Sequence, residues 1–466
     1  MELPATLLEA PPATARTAEA RTAENCSDLG AHLGGALHRS TRTNLINYAL
    51  RICERRMASL RPSEVCLVKI AVLGAGAMGQ VTIRDLCESA NVSEVLMADL
   101  SLERLEALKA QFNKPKLKTA KADVTDIAGL GELLKGWQAV INCSPYIFNL
   151  NVMEAALIAG CHYLDLGGLF HVTRKQMELN QKFAEQKLLA VLGMGAAPGM
   201  TNVMAACAAD EMDTVSSIDI YAASVDLVAS NHPFLPPYAL DTILDEYFLC
   251  PYVFEDGEFK EVPPMSGEHV HDFPQPVGRA SSFLTLHSEV ATLPLTYKDK
   301  GVKRVTYRLG LPTLFHERCK FLVDLGFGDK ESMKIGEAEL KPRKILQAMI
   351  DRHALPTADP DDAEVIRVDV AGTKAGRQIL TRLETMVLSH KEWKISCGAL
   401  DTGVPPSIVA QLICSGEIKQ RGVQAPEACV PAQRFFQELA KRNMEMRKIT
   451  DEVLASSECS KAKVKV

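Results

Sequence analysis

Val68-Lys69-Ile70-Ala71-Val72-Leu73-Gly74-Ala75-Gly76-Ala77-Met78-Gly79 is the stretch on which the fold of this chain turns. A β-branched, apolar run passes directly into Gly-x-Gly-x-x-Gly and then into helix-forming sequence. In such a strand–turn–helix unit the first glycine permits the tight turn. The second lets backbone N–H groups approach a pyrophosphate, and the third brings the helix close to the strand, with the phosphates at its positive end. The triplet alone is weak evidence, because glycine is common in loops; the alternative is an ordinary turn with a capping aspartate. A second strand strengthens the reading. Val95-Leu96-Met97 ends at Asp99, 20 residues beyond Gly79, where a carboxylate would take the adenine ribose hydroxyls. Gly74, Gly76, Ala77, Met78, Gly79 and Asp99 are therefore the expected dinucleotide contacts, joined by Asp123, Asn142, Pro145 and Tyr146 further along the chain. The charge of Asp99 would repel a 2′-phosphate, so NAD is expected ahead of NADP.

With 466 residues the chain exceeds one ordinary core, and two domains are expected. A net charge of −6 gives no reason to expect nucleic acid or an anionic membrane as partner. No apolar run approaches the roughly 18 residues of a membrane span. The 13 cysteines are odd in number and include no Cys-x-x-Cys, which points to buried thiols in a reducing, cytoplasmic setting rather than to a zinc site. Residues 1–63 are rich in Ala, Thr and Arg and lack Lys, and read as a disordered extension with a helix near Asn44–Met57. Acids at Glu2, Glu9, Glu19, Glu24 and Asp28 argue against a transit peptide, and Met57 is a candidate natural start.

Residues 64–200 alternate strand and helix as a doubly wound parallel (Rossmann) sheet requires. Strands are expected near Leu117–Ala122, Ala139–Asn142, Tyr163–Leu166 and Leu189–Leu192, and helices near Val152–Ala159 and Lys175–Gln186. Residues 201–395 read as a second, mixed-sheet α/β (α+β) domain, with an Asp-Gly hairpin at Tyr252–Phe259. Its further strands are expected at Ile218–Ala222, Val302–Arg308, Val365–Val370 and Ile379–Met386, and its helices at Thr242–Leu249, His316–Leu325 and Arg343–Arg352. Residues 396–445 are helical, with a Pro-started helix at Pro405 closed by Gly416, and 446–466 read as a flexible tail.

Strand ends carry the chemical candidates. Asn142-Cys143-Ser144-Pro145-Tyr146 would edge the nicotinamide, or form a Pro turn with a packed Tyr. Asp165, in Cys161-His162-Tyr163-Leu164-Asp165-Leu166-Gly167-Gly168, is a substrate or ribose ligand or a loop cap. Gly193–Asn202 could lie against a flat ring or act as a hinge. His287-Ser288-Glu289 places an imidazole and a carboxylate within three residues: the imidazole can take a proton and the carboxylate can hold a cation. The plain alternative is an exposed His-Ser-Glu. His269-Val270-His271 lacks a third metal ligand and reads as an exposed loop. No metal site, nucleophile elbow, Walker loop or His-Glu-x-x-His is found.

Taken together, these pieces resemble the saccharopine dehydrogenase family, and within it lysine 6-dehydrogenase-like members. The likeness runs from Val68 to Glu438. It rests on Gly74–Gly79, Cys161–Gly168, Ala197–Asn202, His287-Ser288-Glu289 with Thr292-Leu293-Pro294, Leu322–Gly326, Pro406–Ala410 and Gly422-Val423-x-x-Pro426-Glu427. The resemblance implies a Rossmann domain completed by the C-terminal helices, and a second domain that lines the substrate cleft and mediates dimerisation. It implies NAD-dependent oxidation of a carbon–nitrogen bond in an amino acid, foremost the oxidative deamination of lysine at its ε-carbon. In that scheme Asp165, Asp241 and Glu289 hold the amino group and His287 is the acid–base residue. One departure is that Asp241 stands where the lysine 6-dehydrogenase-like sequences tend to have Glu. Three alternatives stay open. Saccharopine would want an extra cation such as Arg279, and carboxynorspermidine would want more acids in the cleft. A non-catalytic dinucleotide-binding regulator would show no turnover.

Overall fold

In the computed structural model, which describes residues 67–228, 232–354 and 356–452, the apolar run before the glycines is β1 (Val68–Leu73), near the middle of a seven-stranded parallel sheet. Its neighbours are β2 (Val92–Asp99) and β4 (Ala139–Asn142), with β3 (Leu117–Lys121) outside β2. On the other side β5 (His162–Asp165), β6 (Leu189–Val191) and the late strand β17 (Gly422–Gln424) follow in order. Ile70, Ala71, Val72 and Leu73 are all buried, as expected of a parallel strand covered on both faces. The order reverses between β1 and β4, which makes their carboxyl ends the place where a ligand settles in an open sheet of this kind.

Helices cover both faces: α1 (Ala77–Glu88), α2 (Leu102–Phe112), α3 (Ile127–Leu134), α4 (Asn149–Ala159), α5 (Leu169–Met177) and α6 (Asn180–Glu185). Ser101 caps α2, its hydroxyl accepting from Arg104 N at 3.2 Å. The single helix expected at Lys175–Gln186 is two, α5 and α6. The buried helix α7 (Met200–Ala209) then leads into the second sheet.

That sheet is mixed. Its path runs β10 (His269–Asp272), β11 (Arg279–Leu284), β12 (Arg304–Gly310), β7 (Thr214–Asp226), β15 (Asp362–Lys374), β16 (Arg377–Leu388), β18 (Arg447–Glu452). β12 and β7 are parallel, and β15 lies antiparallel between β7 and β16. The hairpin β8 (Tyr252–Glu255) and β9 (Glu258–Glu261) pairs with β12, and its Asp256 and Gly257 both have positive φ, as the Asp-Gly reading requires. A separate small hairpin joins β13 (Met333–Ile335) to β14 (Ala338–Leu340). Around the sheet lie α8 (Leu240–Phe248), α9 (Glu289–Thr296), α10 (Thr313–Leu322) and α11 (Pro342–Ile350). One continuous apolar core runs from Ile70 and Val72 through Met200 and Val203 to Ile218 and Ile366, so the two sheets are packed through α7 rather than strung on a linker.

Three local expectations are corrected. His269 and His271 belong to strand β10, with the His271 ring against Tyr221, rather than to a loop. The tail begins later than residue 446, because Arg447–Glu452 pairs with β16. The last long helix, α12 (Cys397–Cys414), starts eight residues before Pro405, capped by Ser396, and holds both prolines inside it. The closing helices α13 (Pro426–Cys429) and α14 (Ala432–Ala440) follow. α12 lies against α1: Thr82 Oγ1 donates to Gly403 O at 2.7 Å, and a Cβ on Gly403 would fall 2.6 Å from Val81 Cβ. Asp85, on α1, accepts from both Ser407 and Arg442. The proposed extension 1–63, its Met57 start and residues 453–466 lie outside the described residues.

Candidate active site

The glycine loop fits a dinucleotide. Gly74 has φ +91, and a Cβ on Gly79 would sit 1.9 Å from Gly74 O, so turn and helix are in contact. A Cβ on Gly76 would meet nothing within 4 Å. That open face lies over the first turn of α1, whose N–H groups have no side-chain cap and no acidic residue beside them. Ala77 opens the helix, with Met78 next to it. Asp99 ends β2 and accepts from Ala75 N at 2.8 Å and from Ser101 N at 2.9 Å, fixing its carboxylate beside the loop. Arg104 Nη1 stands 3.6 Å from it.

The remaining sequence candidates for the nucleotide divide. Asn142 is buried and donates to Asn149 Oδ1 at 2.9 Å while accepting from Ser144 N, so it shapes the turn after β4. Pro145 is exposed and Tyr146 half-buried on the same turn. The Tyr146 hydroxyl donates to Asp245 Oδ2 at 2.6 Å, tying this turn to α8. Asp123 is exposed just past β3 and is engaged by Thr125 N and Oγ1, which pull its carboxyl below the usual value.

His287 and Glu289 form the centre of the site. They are buried, contrary to the exposed alternative, with His287 at 6% and Glu289 at 0% exposure. His287 Nδ1 lies 2.5 Å from Glu289 Oε2, and Glu289 Oε1 accepts from Thr201 Oγ1 at 2.8 Å. The imidazole stacks on the Tyr307 ring at 3.7 Å between centroids. Ser288 anchors the segment: its Oγ accepts from Gly168 N and Thr173 Oγ1 and donates to Leu169 O. The tripeptide is thereby fixed to the loop after β5, at the carboxyl edge of the first sheet. Burial opposes a charged imidazolium here, but the Glu289 carboxylate, with Glu246 behind it, outweighs that and holds His287 above the usual imidazole value.

The other two carboxylates assigned to the amino group are elsewhere. Asp165 is buried and accepts from five donors: Gly167 N, Gly193 N, Tyr163 OH, Gln176 Nε2 and Asn149 Nδ2. A carboxylate has about four lone-pair sites, so Asp165 braces the loops after β5 and β6 and has none left for an amine. Burial raises its pKa in spite of these donors. Asp241 is 70% exposed and faces Arg343 Nη1 at 3.5 Å, outside the cluster. The acids that α8 does turn inward are Asp245 and Glu246, which the sequence reading passed over. Asp245 is held by Tyr146, Lys330 and Arg343. Glu246 is 3% exposed and accepts from Tyr238 OH; burial first, with Asp245 and Glu289 adding to it, pushes Glu246 up to about 7. The signal for them was present as an Asp-Glu pair inside an apolar helix pattern, Leu240-Asp241-Thr242-Ile243-Leu244-Asp245-Glu246-Tyr247. Arg279 lies exposed on β11.

Two family models match the chain: the saccharopine dehydrogenase NADP binding domain at residues 70–191, and the saccharopine dehydrogenase C-terminal domain at residues 195–444. The chain is 24% identical over 372 residues to carboxyaminopropylagmatine dehydrogenase of Synechocystis sp., covering 77% of this chain and 92% of that one. It is 24% identical over 389 residues to carboxynorspermidine synthase of Vibrio cholerae, covering 76% and 91%. Its fold matches saccharopine dehydrogenase (L-Glu forming) of Saccharomyces cerevisiae with TM-score 0.65 and 18% identity, covering 82% of this chain and 100% of that one. It also matches the homospermidine synthase of Legionella pneumophila with TM-score 0.58 and 12% identity, covering 86% and 94%. No helix among the described residues is long and apolar enough to cross a membrane. The chain belongs to the saccharopine dehydrogenase family and is an NAD(P)-dependent oxidoreductase of carbon–nitrogen bonds.

Proposed function

We propose that the chain oxidises, or in the reverse direction forms, the secondary amine of an amino-acid adduct carrying a cationic arm. The observation that carries this reading is the surplus of buried carboxylates around His287. Glu246 and Glu289 flank the imidazole, and among the described residues no Lys or Arg pairs with either. Buried acids without cations are costly unless a ligand supplies the charge. Saccharopine, with its extra carboxylates, would ask for the opposite, and Arg279 stands exposed on β11. The names of the curated relatives denote carboxylated polyamines, which supports that class over the lysine expected from the sequence likeness.

The dinucleotide, when bound, accepts a hydride from the carbon bearing the amine. The protein supplies the rest. An ammonium cannot give up hydride, so the substrate nitrogen must first lose a proton. His287 is the acceptor: Nδ1 is engaged by Glu289, which fixes the ring and leaves Nε2 to face the substrate. Glu289 in turn is oriented by Thr201. After hydride loss the iminium carbon adds water, one proton of which passes to solvent; the carbon–nitrogen bond then breaks to an aldehyde and an amine, as the proton on His287 returns to the departing nitrogen. Tyr307 holds the imidazole plane and keeps water from its other face. We extend the same reading to a homo-oligomer in the cytoplasm, with light scattering as the check.

The test is turnover by the full chain with NAD or NADP and each of lysine, saccharopine, carboxynorspermidine and carboxyaminopropylagmatine, followed by absorbance of the reduced nicotinamide. The carboxylated polyamines should exceed the other two in kcat/KM by roughly tenfold or more. A preference for lysine or saccharopine overturns the reading.

A further inference from the structure

Helix α5 has two faces with different work. The inner one holds Ser288, whose Oγ accepts from Gly168 N at 3.3 Å and from Thr173 Oγ1 at 3.1 Å and donates to Leu169 O at 3.1 Å. Gln176, one turn on, donates to Asp165 Oδ2 at 2.6 Å. Residues 169, 173 and 176 keep the spacing of one helical face, so His171, Arg174 and Lys175 share another, and all three are exposed. Across from them stands the β8–β9 hairpin. Phe170, His171, Arg174, Lys175, Tyr252 and Phe259 line a cavity of about 550 Å³ between the two elements, a volume in the range of small-molecule sites. None of these residues belongs to the His287 cluster.

The wall of this cavity is built of rings. Phe170 and Tyr252 stack with centroids 4.3 Å apart and planes within 7°, and Phe259 stands edge-on to Phe170 at 5.5 Å. The His171 imidazole meets Tyr252 edge-on at 5.4 Å. The Arg174 guanidinium lies 5.4 Å from the centre of the Phe259 ring. Among the described residues, neither the Arg174 nor the Lys175 side chain has an acidic partner. Glu261 of the hairpin accepts from Tyr252 OH at 3.0 Å and does not line the cavity. A lone exposed cation is ordinary on a protein surface. Two of them at the rim of a ring-lined hollow suit a particular guest: a flat ring for the aromatic wall, and an anion for the guanidinium fork. The same two charges disfavour an amine, so the substrate class proposed above does not belong here.

We propose that the cavity between α5 and the β8–β9 hairpin is a second ligand site, an effector site that takes a small flat ring bearing a carboxylate or a phosphate. The proposal goes beyond the polyamine-adduct reading and does not rest on it. Its connection to the His287 cluster is structural. Leu169, whose carbonyl holds Ser288, directly precedes Phe170 of the cavity wall and has φ +47, a left-handed backbone that a leucine adopts only when its surroundings impose it. A ligand that binds α5 in this position favours the arrangement in which Ser288 is anchored, and an occupied site therefore favours substrate binding.

The test is calorimetry on the full chain saturated with NAD, so that the dinucleotide site is filled. Indole-3-acetate and uridine monophosphate are the probes, one for each anion. Acetate, inorganic phosphate and tryptamine are the controls, lacking either the ring or the negative charge. At least one probe should bind with a Kd of about 1 mM or tighter, and each control about tenfold more weakly or worse. The tighter probe identifies the anion. Arg174→Gln combined with Lys175→Gln should weaken that probe about tenfold or more, while the melting temperature and the turnover without probe hold, since both side chains are exposed. Phe259→Leu, which keeps both charges, should weaken it as well. Saturating probe should lower KM for the amine that the enzyme turns over by about threefold. No binding of either probe, equal binding of tryptamine, or unchanged affinity in the charge variant overturns the site. Competition between probe and amine would make the cavity part of the substrate cleft and overturns it too. Bound probe with KM unchanged overturns the effector role. The binding measurements need no substrate, so their failure is distinct from that of the polyamine reading, which shows only in turnover.

Discussion

His287 Nδ1 and Glu289 Oε2 lie 2.5 Å apart, and neither residue is more than 6% exposed. The carboxylate favours the protonated imidazole, burial disfavours it, and the balance leaves His287 above its ordinary value of 6.5. A base must be deprotonated to act. kcat/KM for amine oxidation should therefore fall as pH drops through an apparent value above 6.5, which belongs to the coupled group rather than to one residue. His287→Ala should lower kcat by about 10²- to 10⁴-fold. Glu289→Gln should move the acidic limb to lower pH, because burial then meets only Glu246. A pH–rate profile that stays put in Glu289→Gln contradicts this.

Glu246 gives a stability signature of opposite chemistry. Its carboxyl is raised from 4.5 to about 7 by burial, so the fold prefers the uncharged acid. That preference is intact below 4.5 and is lost as pH climbs toward 7. Glu246→Gln cannot ionise, so relative to wild type it should gain on the order of 3 kcal/mol between the two ends of that window. Urea unfolding of both proteins across the range measures it; parallel curves would sink the assignment.

Gly76 and Gly79, three residues apart, should behave differently. Gly76→Ala meets open space, so the apo protein should keep its melting temperature while losing the stabilisation that a dinucleotide confers. Gly79→Ala drives a methyl into Gly74 O at 1.9 Å and should lower the melting temperature itself. Thermal scans with and without NAD separate the two. A Gly76→Ala protein that is stabilised by NAD as well as wild type would remove the phosphates from the head of α1.

Asp99 is the residue expected to set which dinucleotide is preferred. It is held beside the loop by Ala75 N and Ser101 N, with Arg104 at 3.6 Å. Wild type should favour NAD, and Asp99→Ser should raise KM for NAD about tenfold while KM for NADP falls or holds, as Arg104 becomes available to a 2′-phosphate. Initial rates with both cofactors decide the matter; wild-type preference for NADP is the contrary result.

The sequence disclosed the parts of this protein whose residues encode their own geometry. β1, the three glycines and Asp99 form one local unit, and the Asp256-Gly257 turn specifies its hairpin by the positive φ both residues accept. His287 and Glu289, two residues apart, could be found together for the same reason. What stayed hidden depends on which way a face turns. α8 carries Asp241, Asp245 and Glu246, and an acid is ordinarily assigned to the solvent side; Asp241 looks natural in a first turn, where the helix dipole favours it. Only the packing of Ile243, Leu244 and Tyr247 turns the other two inward. Asp165 reads as a ligand because its strand end is right, yet three of its five donors, Asn149, Gln176 and Gly193, are brought to it only by the fold, beside Tyr163 and Gly167 of its own strand and loop.

The central claim is that hydride leaves the amine-bearing carbon for a dinucleotide gripped at Gly74–Gly79. It is tested most directly by turnover of carboxynorspermidine deuterated at the carbon bonded to the secondary nitrogen, with mass spectrometry of the reduced nicotinamide. The account predicts that the label appears in the reduced cofactor. Reduced cofactor without label, or label retained wholly in the amino-acid product, would contradict it.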